Sequence, residues 1–166
     1  MVERRVVLKG LLGCASALVG LGLGPMMAAG AAEPVVKLIR SDEEWKRMLS
    51  REQYEVLRHE GTERAFTSPL LNEHRPGTFV CAGCGLDLFT AQMKFDSGTG
   101  WPSFFDVIHG HVDTKTDLQL LAPRTEYHCA RCGGHQGHVF DDGPAPTGLR
   151  YCNNGVALKF VPTPEG

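Results

Sequence analysis

Apolar and polar positions follow two different periods along this chain, and the change falls near Gly77. Ser41-Asp-Glu-Glu44 reads as a capping box that opens a short helix through Trp45 and Met48. Ser50-Arg-Glu-Gln53 is a second box, followed by Tyr54, Val56 and Leu57 on one apolar face and by Gly61 as a stop. These helices read as outer packing, and their aromatics as core. From Gly77 onward short alternating runs are broken by turn residues, which predicts strands at 77–81, 86–89, 105–112, 118–121, 125–129, 137–141, 149–153 and 156–161. The last run puts Val156, Leu158 and Phe160 on one face. Turns gather at Ser97-Gly-Thr-Gly100, Arg131-Cys-Gly-Gly134 and Asp142-Gly-Pro-Ala-Pro-Thr-Gly148. The pattern predicts a small, mainly β, mostly antiparallel domain with short N-terminal helices.

The front of the chain has neither period. Arg4-Arg5 and Lys9 precede an apolar, Gly-rich stretch from Leu11 to Met27 and small residues from Ala28 to Ala32. That order of charged, apolar and small residues predicts a signal peptide over residues 1–32, with cleavage near Ala31–Ala32. The paired arginines before a mildly apolar run point to the twin-arginine type and a periplasmic or otherwise exported protein. An uncleaved leader would instead serve as a membrane anchor. Cys14 after Leu11-Leu12-Gly13 is a faint lipobox, but apolar residues continue a dozen positions past it. Residues 33–40 read as an extended linker and 41–166 as one domain.

Charge changes the picture only by exclusion. The net charge of −2 becomes −4 once Glu3, Arg4, Arg5 and Lys9 leave with the leader. No basic run or basic–aromatic interleaving is present, so nucleic acid is not an expected partner. Nothing after Met27 approaches a transmembrane span.

The six cysteines fall into groups of one, four and one. Cys14 lies in the leader. Cys81 and Cys84 form one Cys-x-x-Cys-Gly unit, and Cys129 and Cys132 a second. In an exported protein such pairs are open to disulfide formation, to redox chemistry or to metal. The glycine after each pair permits the tight turn that aims backbone N–H groups at thiolate sulfur, and four thiolates suit tetrahedral zinc, which is the favoured reading. Such an ion would clamp two hairpins that lie 44 residues apart in the chain.

Cys152, in RYCNNG, is left without a nearby partner thiol. A buried free cysteine is its ordinary role. Arg150, however, shares its strand face, and His135 and His138 precede it in GGHQGHVFDDGP. A guanidinium and an imidazole nearby are expected to lower the thiol pKa and favour the attacking thiolate. Imidazoles also suit the proton that a departing oxygen needs near neutral pH. Asp141 and Asp142 form the turn into Gly143-Pro144, and Asp141 is a candidate for orienting a histidine. Trp101, at the end of a Gly-rich loop, is placed to hold its indole at a pocket rim.

KFDSGTGWPSF, CARCGGHQGHVFDDGP, TGLRYCNNG and the paired CxxCG units closely resemble the B-type methionine sulfoxide reductases, over about Ser41 to Pro162. The resemblance implies reduction of the R epimer of methionine sulfoxide in oxidised proteins, on two antiparallel sheets with short N-terminal helices. It implies Cys152 as nucleophile, His138 and His135 as catalytic imidazoles with His138 the favoured donor, and Asn154 and Arg150 organising the site. It further implies Trp101 as the pocket for the sulfoxide's methyl group and Cys81, Cys84, Cys129 and Cys132 as ligands of one structural zinc.

Three positions depart from the family pattern. Thr99 stands where many members carry a resolving cysteine, Asn153 where an apolar residue is usual, and Gly155 where serine is usual. With four cysteines on zinc and Cys14 removed with the leader, no second thiol remains for an internal disulfide. A Cys152 sulfenic acid would then be reduced by a thioredoxin-like or other external thiol. Two other readings of the chain are a non-catalytic zinc-binding interaction module and a general thiol oxidoreductase working through a Cys-x-x-Cys pair.

Overall fold

In the computed structural model, the residues described are 34–164 apart from Leu121. The expected signal peptide lies outside them. Residues 34–40 run without regular structure and are tied down where Leu38 N–H donates to Arg131 C=O at 2.7 Å. Two helices follow, α1 (Asp42–Met48) and α2 (Arg51–His59), each opened by the expected capping box. Ser41 and Ser50 accept from the backbone of Glu44 and Gln53, whose side chains reach back to the cap N–H groups. Reversal after α2 is made by Glu60, at φ 57°, one residue before the predicted stop; Gly61 N–H then closes on Glu55 C=O. Trp45, Tyr54, Val56 and Leu57 are buried, so the helices cover the sheets with their apolar faces.

Among the described residues, nine strands make two antiparallel sheets. The smaller has the order β2 (Asp87–Thr90), β1 (Gly77–Cys81), β9 (Leu158–Pro162). The larger runs β3 (Lys94–Phe95), β4 (Ser103–Phe104), β8 (Arg150–Asn153), β7 (His135–Phe140), β6 (Arg124–Cys129), β5 (Val112–Asp117). Aromatic side chains join them: Phe89 of the smaller sheet stacks on Phe104 of the larger at 4.0 Å between centroids, and Phe79 meets Phe104 edge-on at 5.0 Å. Tyr127 closes the cluster against Phe89 and Tyr151.

Two predicted strands are corrected. In the 105–112 segment only Val112 is in a strand. The Asp106 carboxylate accepts from Val107 N–H, and a turn follows from Ile108 to His111 with Gly110 at φ 80°, so local hydrogen bonds take the groups a ladder would need. In the 118–121 segment, residues 118–120 are in no strand, because Asp117 Oδ1 captures Gln119 N–H at 2.8 Å and ends β5. Val156 belongs to a short 3-10 turn, Gly155–Ala157, that precedes β9.

Candidate active site and metal centre

The four paired cysteines converge. Their sulfur atoms all lie within 4.8 Å of one another, with Cys81–Cys132 at 3.7 Å and Cys84–Cys129 at 3.5 Å. Four thiolates on one tetrahedral ion at about 2.3 Å would be about 3.8 Å apart, so the set fits zinc. Each knuckle is closed by its glycine: Gly85 N–H donates to Cys81 C=O and Gly133 N–H to Cys129 C=O, both at 2.8 Å, with the glycines at φ 72° and 67°. Hydrogen bonds among the sulfurs push the Cys81 and Cys129 thiols up and those of Cys84 and Cys132 down. A divalent cation is what allows all four to be thiolates together. These cysteines are the chain's zinc ligands, for one structural ion. Cys81 ends a strand of the smaller sheet and Cys129 one of the larger, so the site clamps the two sheets. A single four-sulfur cluster is not the arrangement of two separate redox pairs, and His135 is not drawn into it.

Cys152 sits at the centre of the larger sheet, opposite His138 on β7 and Ser103 on β4. Paired residues project on the same face, so His138 stands beside the thiol. Gly137 makes the close pairing feasible: a Cβ there would lie 1.9 Å from Cys152 C=O. A cleft of about 130 Å³ opens at this point, lined by Thr62, Trp101, Arg124, His138, Phe140 and Cys152, together with Gly137, Asn153 and Asn154.

Each imidazole is held by its own buried carboxylate. His138 Nε2 lies 2.8 Å from Asp117 Oδ2, and His135 Nδ1 lies 2.7 Å from Glu126 Oε1. The two rings meet edge to face at 5.5 Å. His135 is 2% exposed and its Nε2 has no hydrogen-bond partner. Burial alone would raise the Glu126 carboxyl, but hydrogen bonds from His128 and His135 bring it down to about 2. Asp117 is held well below the usual carboxylate range by the Gln119 N–H, His138 and Arg124. Burial lowers the His138 pKa, outweighing the opposing pull of Asp117. These roles do not fall to Asp141, which is exposed in the following turn. The sequence signal for Asp117 and Glu126 was weak: single acids on strands, ordinarily solvated.

The expectation of a lowered thiol pKa is also corrected. Burial pushes the Cys152 thiol up, and the opposing influence of Arg150 and of a hydrogen bond from Thr99 does not compensate. Arg150 itself is 8% exposed and bidentate on Asp142, at 2.7 and 2.8 Å, with its guanidinium 4.3 Å over the Phe140 ring.

Asn154 is a joint between elements. Its Nδ2 donates to Gln136 C=O at 3.0 Å, and its Oδ1 accepts from Glu63 N–H at 3.0 Å. Glu63 also accepts from the Trp101 indole N–H through its C=O at 3.1 Å, while its carboxylate takes the N–H groups of Gly155 and Val156. The segment after α2 thus ties Trp101 to the end of β8, a role the sequence did not announce. Asn153 is fully buried with its side chain in the core, accepting from Tyr127 OH at 2.6 Å and donating to Asn154 C=O at 2.7 Å. The departure at that position therefore trades apolar packing for a satisfied polar network.

The SelR domain family matches residues 49–162. Over 127 residues the chain is 55% identical to a peptide methionine sulfoxide reductase MsrB of Bradyrhizobium diazoefficiens, covering 76% of this chain and 91% of that protein. It is 53% identical over 128 residues to the MsrB of Methanosarcina barkeri, covering 76% and 90%. The chloroplastic peptide methionine sulfoxide reductase B1 of Arabidopsis thaliana is 53% identical over 121 residues, covering 72% and 60%. With its cysteine cluster, its histidine pair and its single remaining thiol in one such domain, the chain belongs to the SelR-domain family of B-type methionine sulfoxide reductases.

Proposed function

We propose that the protein reduces methionine-R-sulfoxide in polypeptides to methionine, with Cys152 as nucleophile and His138 as proton donor. The observation that carries this reading is the register of β7 and β8, which sets His138 directly across from Cys152 at a cleft lined by Trp101. The curated MsrB relatives support the same reaction.

The Cys152 thiolate attacks the sulfoxide sulfur, and imidazolium His138 protonates the oxygen through Nδ1, the ring nitrogen that Asp117 leaves free. The oxygen passes to Cys152 as a sulfenic acid. The substrate sulfur is reduced by two electrons, Cys152 is oxidised by two, and methionine leaves. Trp101 packs against the methyl group, Asn154 and Arg150 hold the β8 end of the site, and His135 backs His138. One external thiol then displaces water from the sulfenic acid to give a mixed disulfide. A second releases Cys152 and leaves with the first as a disulfide. Zinc bound by Cys81, Cys84, Cys129 and Cys132 supplies a structural cross-link and no redox chemistry.

The reductant is thioredoxin-like or another thiol. Residues 1–32 direct twin-arginine export, so that the domain repairs oxidised exported proteins. Among the described residues no helix is long and apolar enough to cross a membrane. The test is turnover of racemic peptidyl methionine sulfoxide with several thiol donors, comparing the parent chain with Cys152→Ser. The parent consumes the R epimer and leaves the S epimer, and the variant forms no methionine. Loss of the S epimer, or turnover by Cys152→Ser, overturns the assignment.

A further inference from the structure

The cleft beside Cys152 holds about 130 Å³, well under the roughly 300 Å³ at which pockets begin to enclose drug-sized ligands. It admits one side chain. The polypeptide on either side of a methionine sulfoxide must therefore lie across the rim, and the rim carries a residue whose conformation the fold alone does not explain.

Phe66 is 72% exposed, and every other tryptophan, phenylalanine or tyrosine among the described residues is buried or partly buried. Its backbone is left-handed, at φ 65°, a conformation unfavourable for a residue with a bulky side chain. Two contacts hold it there. Phe66 N–H donates to Gly100 C=O at 2.7 Å, and its ring lies so close over Gly100 that a Cβ at that glycine would fall 2.8 Å from the ring carbons. Gly100 is the residue immediately before Trp101. The chain thus accepts both backbone strain and an unburied aromatic at one position, one residue from the cleft. Strain and exposed apolar area kept together at a rim are features of a recognition contact.

A path for the flanking chain continues from there. A hollow of about 730 Å³ runs along the same segment, lined by Gly61, Thr62, Glu63, Arg64, Thr67 and Ser68 among others, and Thr62 is common to it and the cleft. Its mixed polar and charged lining suits an extended main chain, which carries donors and acceptors at every residue.

We propose that Phe66 is a docking contact for the polypeptide flanking the oxidised methionine, and so sets the preference for peptide-borne over free methionine sulfoxide. The proposal rests on the reductase reading above. Phe66 is a positioning and specificity residue: it touches neither Cys152 nor the sulfoxide.

The test compares two substrates with dithiothreitol as reductant: an end-blocked hexapeptide with a central methionine-R-sulfoxide, and free methionine-R-sulfoxide. For Phe66→Ala the ratio of kcat/KM on peptide to kcat/KM on the free amino acid is expected to fall about tenfold, through the peptide KM, since an apolar contact is lost from ground and transition state alike. Phe66→Leu keeps apolar area and is expected to fall between the two. An unchanged ratio overturns the proposal, whether both substrates slow together, as for mere support of Trp101, or neither slows. If the parent chain reduces neither substrate, the reductase reading itself fails, which is a separate outcome.

Discussion

Gly155 and Ser68 are in direct opposition: a Cβ built on Gly155 would lie 1.9 Å from Ser68 Oγ and 2.6 Å from Ser68 Cβ. Ser68 is buried and caps the 3-10 turn at Pro69 by accepting from Leu70 N–H. The glycine at this position, where a serine would match the family pattern, is therefore coupled to a hydroxyl arriving from another segment. The backbone N–H of Gly155 is meanwhile held by Glu63.

Restoring a side chain at that point is expected to destabilise the protein. Gly155→Ser should lower unfolding free energy by about 1–3 kcal/mol, the usual cost of overpacking. Ser68→Gly in the same chain should recover most of it, because the clash is with that side chain. Denaturant melts of the two single variants and the double variant measure the coupling. Additive losses would mean the two positions do not interact.

The acid–base pair of the site is expected to run in reverse protonation. Attack needs thiolate Cys152 and imidazolium His138, yet burial raises the thiol and lowers the imidazole. The productive form is then a minor species between the two macroscopic pKa values. kcat/KM should rise with pH along a limb set by the imidazole and fall along one set by the thiol. The groups that tune the imidazole are Asp117, Arg124 and His135, and those that tune the thiol are Arg150, Asp142 and Thr99. Asp117→Asn removes an influence that raises the imidazole, so the acid limb moves to lower pH and the plateau drops. Arg150→Met removes one that lowers the thiol, so the alkaline limb moves up and the plateau again drops. Each unit of added separation costs about tenfold in rate. Profiles of kcat/KM from pH 5 to 10 check the directions, and a limb moving the opposite way refutes the scheme.

Much of this was written locally in the chain. The helix starts were legible because a capping box is a four-residue pattern, and the structure places both boxes where Ser41 and Ser50 predict. The metal cluster was legible because each Cys-x-x-Cys-Gly unit carries its own turn. Strands 105–112 and 118–121 failed for the converse reason: Asp106 and Asp117 capture nearby N–H groups, and apolar alternation does not register such a competitor. The partners of the histidines were hidden differently. Glu126 and Asp117 reach His135 and His138 only through strand pairing, over separations of 9 and 21 residues. The direction of the Cys152 thiol's shift is not legible in the sequence, because charge and burial oppose each other there and only the depth of the site decides between them.

The zinc site joins a turn of the smaller sheet to a turn of the larger, so its loss should be felt as folding rather than chemistry. Cys84→Ser is expected to abolish tight zinc binding and the cooperative melt, since a structural zinc contributes on the order of 10 kcal/mol to folding. The parent chain should contain about one zinc per chain by elemental analysis. A Cys84→Ser protein with an unchanged melt would show that the two sheets hold together without the ion.

Thr99 acts to lower the Cys152 thiol and is steadied by Ser97, whose hydroxyl is 2.8 Å from its own and 2.7 Å from that of Ser103. Ser103 is in turn the cross-strand neighbour of Cys152. A thiol at position 99 would therefore stand where it can attack the sulfenic acid formed on Cys152, expelling water and closing a disulfide within the chain. Among the described residues the other four cysteines gather in the metal cluster, so the proposed mechanism has the sulfenic acid reduced by an external thiol. After one turnover without reductant, the parent is expected to react with dimedone, a sulfenic-acid trap, and Thr99→Cys is expected to escape it. Mass spectrometry of both, before and after trapping, reads the difference directly. A parent chain that gives no dimedone adduct after forming one equivalent of methionine would mean that its oxidised state is something other than a free sulfenic acid, and that regeneration by an external thiol starts from a different species.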